Sequence, residues 1–244
     1  MRIRAFCSRT IKEIVRDPLN VCFGLGFPIV LLLLLSVIQS NVPVELFKIE
    51  RLAPGISVFG LSFMTLFSAT LVAKDRESAF LQRLYTTPMR AWEFILGYFL
   101  PVIPLAFVQG LVCYLTAVIL GLKVSVNIIY AVFMLIPVSL VFISLGLLCG
   151  SAFGVKQVGG ICGALLTNLT AWLSGAWFDL DLVGGVFKKV AYMLPFVHSV
   201  EIERAALSGN FTGQLKAHIL WVLLYAAAAS AAAVIVFLRR MNRN

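Results

Sequence analysis

The sequence predicts an all-α, polytopic membrane protein with six transmembrane helices. Three observations carry that expectation. The 244 residues are 61% hydrophobic and 13% charged, with a mean hydropathy of +0.98. A soluble domain of this length would have too little polar surface to cover itself. Apolar runs of about 20 residues recur, the length that spans a ~30 Å hydrocarbon core as helix. Charges gather between the runs, as expected when each costs roughly 2.5–3.5 kcal/mol at a bilayer centre. The runs fill residues 1–244 as a single membrane domain and leave no room for a soluble one.

Residues 1–17 read as an amphipathic interfacial helix. Ile3, Phe6, Cys7, Ile11, Ile14 and Val15 share one face; Arg2, Arg9, Lys12, Glu13 and Arg16 share the other. Bases on the polar face suit an anionic inner leaflet. The stretch is too charged for a cleaved signal peptide. Asp17-Pro18 ends it. The first span is expected over about Leu19–Ser40, bent near Gly24, Gly26 and Pro28. A short polar loop over Asn41–Arg51 leads to the second span, Leu52–Ala73. That span carries Phe59, Phe63 and Phe67 at i+4 spacing, an aromatic ridge that serves either helix packing or a substrate path.

Residues 74–90 follow as the densest charge cluster between two apolar runs. Lys74, Asp75, Arg76, Glu77, Arg83, Arg90 and Glu93 cannot lie in lipid together. Phe80, Leu81, Leu84 and Tyr85 form a helical apolar stripe, and Pro88 stops the turn. A short amphipathic helix between two spans is predicted, in water or at the interface; composition alone fits an ordinary solvated loop as well.

The third span, about Ala91–Leu120, contains Pro101 and Pro104; the fourth, Ile128–Gly150, contains Pro137. Neighbouring helices must satisfy the freed carbonyls. The fifth span is expected over Val158–Phe178. Gly159, Gly160, Gly163 and Ala164 give overlapping small-x-x-x-small patterns, which predict close helix packing. Its outer half turns polar at Thr167, Asn168, Thr170 and Ser174, and Asn168 and Thr170 join the candidate substrate path. Residues 179–216 are too apolar for a plain loop, yet Gly184-Gly185 and Pro195 break them into pieces too short to span. External re-entrant helices before the last span fit best. The last span is expected over His218–Leu238, anchored by Arg239-Arg240.

With this layout 13 Lys/Arg lie on the side of both termini and seven on the other, so both termini are predicted to be cytoplasmic in a cell membrane. The net charge of +9 is accounted for by this asymmetry, and no nucleic-acid partner is expected. The five cysteines are scattered without a Cys-x-x-Cys pair and read as small buried hydrophobes. His198 and His218 stand alone in sequence, and no Cys/His cluster has metal spacing. No Gly-x-x-x-x-Gly-Lys-Ser/Thr loop occurs, so no ATP is cradled here by that route. Serines lack a nucleophile elbow, and catalytic residues are expected to be absent.

Asp75-Arg76-Glu77, Leu81, Arg83-Leu84 and Thr87-Pro88 resemble the "ERE-x-G-T-L-E-R-L-x-x-T-P" segment of the ABC type-2 exporter permeases. Leu173-Ser174-Gly175, Leu194-Pro195, Glu201 and Arg204 are similar to that family's "L-S-G … L-P … E-x-x-R" region. The resemblance implies that 74–90 is a coupling helix seated on an ATPase subunit. It implies two such ATPases and a second permease copy, identical or paralogous, with ATP and Mg bound by the ATPases and no cofactor on this chain. It also implies a substrate path lined by the second and fifth spans at the permease–permease interface. The expected cargo is amphipathic: a drug, lipid, peptide or lipid-linked glycan. A non-transporting membrane scaffold and an intramembrane enzyme remain the alternatives.

Overall fold

The computed structural model describes residues 2–42, 48–78 and 91–241, and every regular element among them is helical. Helix α1 spans Arg2–Arg16. Phe6, Thr10 and Ile14, four residues apart, are buried, and Phe6 meets Tyr98 edge-on with ring centroids 4.9 Å apart. Gly97 makes room for this contact, since a Cβ there would come within 1.9 Å of the Phe6 ring. Ile11 and Val15 stay exposed. The expected single apolar face is therefore divided: one stripe seats the helix on the protein, and its edge is free for lipid.

Helix α2, Cys22–Asn41, opens with a π-helical turn over Cys22–Gly26, where a bend was expected. Helix α3, Ile49–Glu77, is the most enclosed span, because its Gly, Ser, Thr and Ala positions let neighbours come close. Helix α4 is Ala91–Ile119 and α5 is Val126–Ala152. The closest approach is between α3 and α5. A Cβ on Gly146 would lie 2.4 Å from the Thr65 carbonyl oxygen, and one on Gly150 would lie 2.5 Å from that of Ala69. Thr65 Oγ1 donates to the Phe142 carbonyl at 2.9 Å across the same seam.

Residues 155–173 form a continuous helical run, α6, in which Gly159–Leu166 are π-helical. The fifth span was expected to reach Phe178, but the helix ends at Leu173 and Gly175 takes φ +68°. One turn, α7 (Leu180–Val183), and helices α8 (Gly185–Met193) and α9 (Pro195–Ser208) follow, then α10 (Gly213–Met241). Helix α9 is no surface element: Phe196, Val197, Val200, Ile202 and Ala206 are buried. Its Phe196 ring lies 5.9 Å from that of Phe142 on α5.

Among the described residues five helices are long and apolar enough to cross a membrane: Cys22–Asn41, Ile49–Glu77, Ile95–Ile119, Val126–Ala152 and Gly213–Arg239. Helix α6 is not one of them, because Lys156, Gln157 and Asn168 dilute its apolar residues. The chain is thus a multi-pass, all-helical membrane protein, built around α3 and α5.

Candidate functional site

The last turn of α3 ties three consecutive charges to four neighbouring helices. Asp75, only 3% exposed, receives both terminal nitrogens of Arg9 from α1, one at 2.6 Å, and the Tyr98 hydroxyl of α4 at 2.8 Å. Such a two-pronged charge-assisted contact fixes orientation as well as distance. Arg9 also meets Glu13 at 2.8 Å, and Lys74 lies 3.7 Å from Asp17. The bond to Asp75 raises the pKa of Arg9, and partial burial raises that of Glu13.

Arg76 donates to the carbonyls of Ser151 and Phe153, each at 2.5 Å. These are carbonyls at the C-terminal end of α5, where the helix leaves acceptors unpaired and favours a cation. Glu77 Oε1 accepts from the Val155 backbone N–H at 2.9 Å, the first residue of α6, where a helix leaves donors unpaired. Lys74–Glu77 therefore belong to α3 rather than to a separate helix. Asp75 sits inside protein rather than in water. Leu81, Arg83, Leu84, Thr87 and Pro88 lie outside the described residues.

The second motif also closes on itself. Arg204 donates to Glu201 at 3.0 Å and to the Gly175 carbonyl at 2.7 Å. Ser174 is buried, and its hydroxyl accepts from the Ala176 N–H at 3.2 Å. Leu194 is extended and Pro195 opens α9, the helix position that needs no N–H. Residues far apart in sequence thus pin the turn after α6 to α9. That turn packs on α3 at Gly55, where a Cβ would lie 2.6 Å from the Ala176 carbonyl oxygen. Nearby, Asp179 accepts from the Asp181 N–H and from Arg51, each at 3.1 Å, and these contacts hold its carboxyl below the usual aspartate range.

At the same end, a cavity of about 480 Å³ lies between α2, α3 and α6. Phe27, Leu35, Phe59, Asn168, Trp172 and Trp177 line it. Of the aromatic ridge only Phe59 reaches it. Phe63 packs on Phe23 and Phe27, with centroids 6.4 and 5.5 Å away, and Phe67 lies under Gly24. Asn168 is exposed and donates to the Ala164 carbonyl at 2.8 Å. Thr170 is buried and donates to the Leu166 carbonyl at 2.9 Å. The indole N–H of Trp177 is buried without a hydrogen-bond partner. The walls suit a flat or branched apolar group, with the exposed Asn168 amide at hand.

A family model for the ABC-2 type transporter matches residues 1–207, which takes in both motifs, the cavity and nearly all of α9. The chain belongs to the ABC-2 type transporter family. It is a permease subunit of an ABC transporter, the part that provides the membrane passage, and its family works with ABC ATPase subunits. No curated protein matches the chain.

Among the described residues of one subunit, Gly159 and Gly160 have nothing within 4 Å of an added Cβ, and Gly163 would make ordinary contact with Leu66 at 3.5 Å; the packing expected of them is against a second permease copy. Within the subunit the close seam uses Gly146 and Gly150. Glu203, near His198 in sequence and not expected to be catalytic, is fully buried and accepts from the Tyr114 hydroxyl at 2.8 Å. His198 and His218, alone in sequence, have Nδ1 atoms 2.6 Å apart. A polar residue at the i+4 register of buried positions was the available signal for Glu203; nothing local announced the histidine pair.

Proposed function

We propose that this subunit is the membrane path of an ATP-driven exporter, energised through residues 79–90 by a separate ATPase. The observation that carries the reading is the clamp at Asp75, Arg76 and Glu77. Residues 79–90 follow in sequence directly after a turn tied to α1, α4, α5 and α6. Force applied to the linker is delivered to those helices together, rather than lost in a loose loop. ATP and Mg are bound by the ATPase, since this chain has no phosphate-cradling loop. Two ATPases and two permease copies make the complete transporter.

Helix α6 is the sixth crossing. At 1.5 Å per residue, residues 155–173 reach about 28 Å, close to the hydrocarbon thickness. Its polarity suits a face that meets a second permease copy or a substrate rather than lipid. Six crossings and the 13-to-seven bias of bases support a cytoplasmic position for both termini. The cavity then opens in the outer half of the membrane. Its apolar walls with Asn168 and Trp177 favour an amphipathic cargo: drug, lipid, peptide or lipid-linked glycan.

Reconstitution with a cognate ABC ATPase tests the reading. The wild-type complex should co-purify and show ATPase activity that rises with cargo. Arg83→Glu should insert normally but lose at least half of that stimulation. Normal assembly and coupling in Arg83→Glu would remove the linker from the mechanism.

A further inference from the structure

His198 sits near the start of α9 and His218 near the start of α10, and their Nδ1 atoms face each other at 2.6 Å. The ring centroids are 4.9 Å apart. At this separation one imidazole N–H donates to the lone pair of the other, so both Nδ1 positions converge on a single proton that a metal ion can replace. The other nitrogen of His198, Nε2, lies 3.0 Å from the Tyr192 carbonyl. A carbonyl only accepts, so Nε2 carries the hydrogen and Nδ1 of neutral His198 presents a lone pair toward His218. Metal-binding histidines are held in this manner, with the far N–H given to a carbonyl that fixes tautomer and ring angle.

We propose that His198 and His218 form a two-histidine site for a divalent transition-metal ion of the Zn2+ class, bridging α9 to α10. Imidazole nitrogen selects such ions over Mg2+ or Ca2+, which demand oxygen. Zn–N bonds of about 2.05 Å at a tetrahedral angle need the nitrogens about 3.3 Å apart, so the rings must part by about 0.7 Å. Water completes the coordination, because no described cluster contains three or more His, Cys, Asp or Glu. The surroundings are built rather than loose. Trp221 lies 5.5 Å from His198, and Tyr192 meets it edge-on at 6.0 Å. Tyr225 of α10 donates to the Met193 carbonyl at the end of α8 at 2.6 Å. A bound ion would staple the last span to α9, and so to the element that Arg204 joins to the cavity's far wall. Placement of the site on the outer surface rests on the exporter topology proposed above; the ion binding itself does not.

The test uses the full-length permease alone, purified without a histidine tag, and titrated with Zn2+ in a calorimeter. Wild type should take one ion per chain that His198→Ala and His218→Ala each bind at least ~10-fold more weakly, as loss of one of two ligands requires. Co2+ absorption provides a readout on the wild-type protein, should either variant fail to fold. A nitrogen–oxygen site gives d–d bands without the intense near-ultraviolet band of cobalt thiolate. Isotherms that superimpose for wild type and both variants would overturn the site. So would no heat in wild type, or a cobalt spectrum dominated by thiolate.

Discussion

Glu203 illustrates how one side chain can be decided by its surroundings. It lies in α9, outside the spans, with no exposed surface and only the Tyr114 hydroxyl as partner. Burial without a cation pushes its carboxyl well above the ordinary 4.5. In the folded state the proton is retained where an unfolded chain has lost it. Stability from this group is therefore complete below the ordinary glutamate range and is lost as pH rises toward the raised value. Glu203→Gln keeps an acceptor for Tyr114 and has no charge to bury. It should leave stability unchanged or raised at pH 8, and flatten the decline between pH 5 and pH 8. Thermal unfolding in detergent at both pH values measures this; a variant that loses stability equally at both would show that Glu203 is buried ionised. In sequence only its i+4 register with buried positions set this residue apart from Glu201, two positions away; its depth belongs to the packing of α9 and not to its local composition.

Elements meet through small residues, and here two small-residue patterns have opposite fates. Gly146-x-x-x-Gly150 on α5 lets the α3 backbone pass, whereas Gly159 and Gly160 on α6 face open space. Both patterns were equally visible in the sequence; which one is used depends on the angle at which helices cross. Gly146→Ala should force α3 and α5 apart and cost about 1–3 kcal/mol. Gly159→Ala should be neutral or stabilising by up to about 1 kcal/mol, since alanine is the better helix former. Melting temperatures of the two variants should shift in opposite directions, and equal losses would mean that α6 is packed in the isolated subunit. The α3 clamp is the other element-scale device. Asp75→Asn leaves Arg9 without its main partner. A fully buried pair would cost about 3–5 kcal/mol, and the partial exposure of Arg9 reduces this to about 1–3. The variant should unfold earlier and expose α1 to protease, an outcome that a solvent-facing Asp75 would not give. The charge triple was legible as a motif, but its inward direction was not, because the partners are at residues 9, 98, 151, 153 and 155.

Across the whole molecule the spans were legible because hydrophobic length is a physical requirement of the bilayer, and each expected span begins or ends within a few residues of a helix. The region after α6 was legible only as "too short to span"; that α9 enters the core, while α8 stays out, depends on contacts from α3, α5 and α10. Helix α8 leaves Val186, Val190 and Met193 exposed along one stripe with Lys189 beside them. An apolar stripe with a neighbouring lysine suits a helix lying in the membrane interface, its ammonium reaching water. On the topology proposed above, that interface is the outer one. A single cysteine at Lys189, on a cysteine-free background, should then react with an impermeant maleimide added to intact cells. A cysteine at Arg16, exposed at the opposite end, should react only after permeabilisation. Lys189 is the better reporter than Gly185, whose φ of +57° would strain any replacement. Reversed labelling at both positions would invert the topology, move the linker 79–90 to the outside and put it beyond reach of any ATPase. The same pair of measurements therefore tests orientation and coupling together, because an ATP-driven linker must share its side with Arg16.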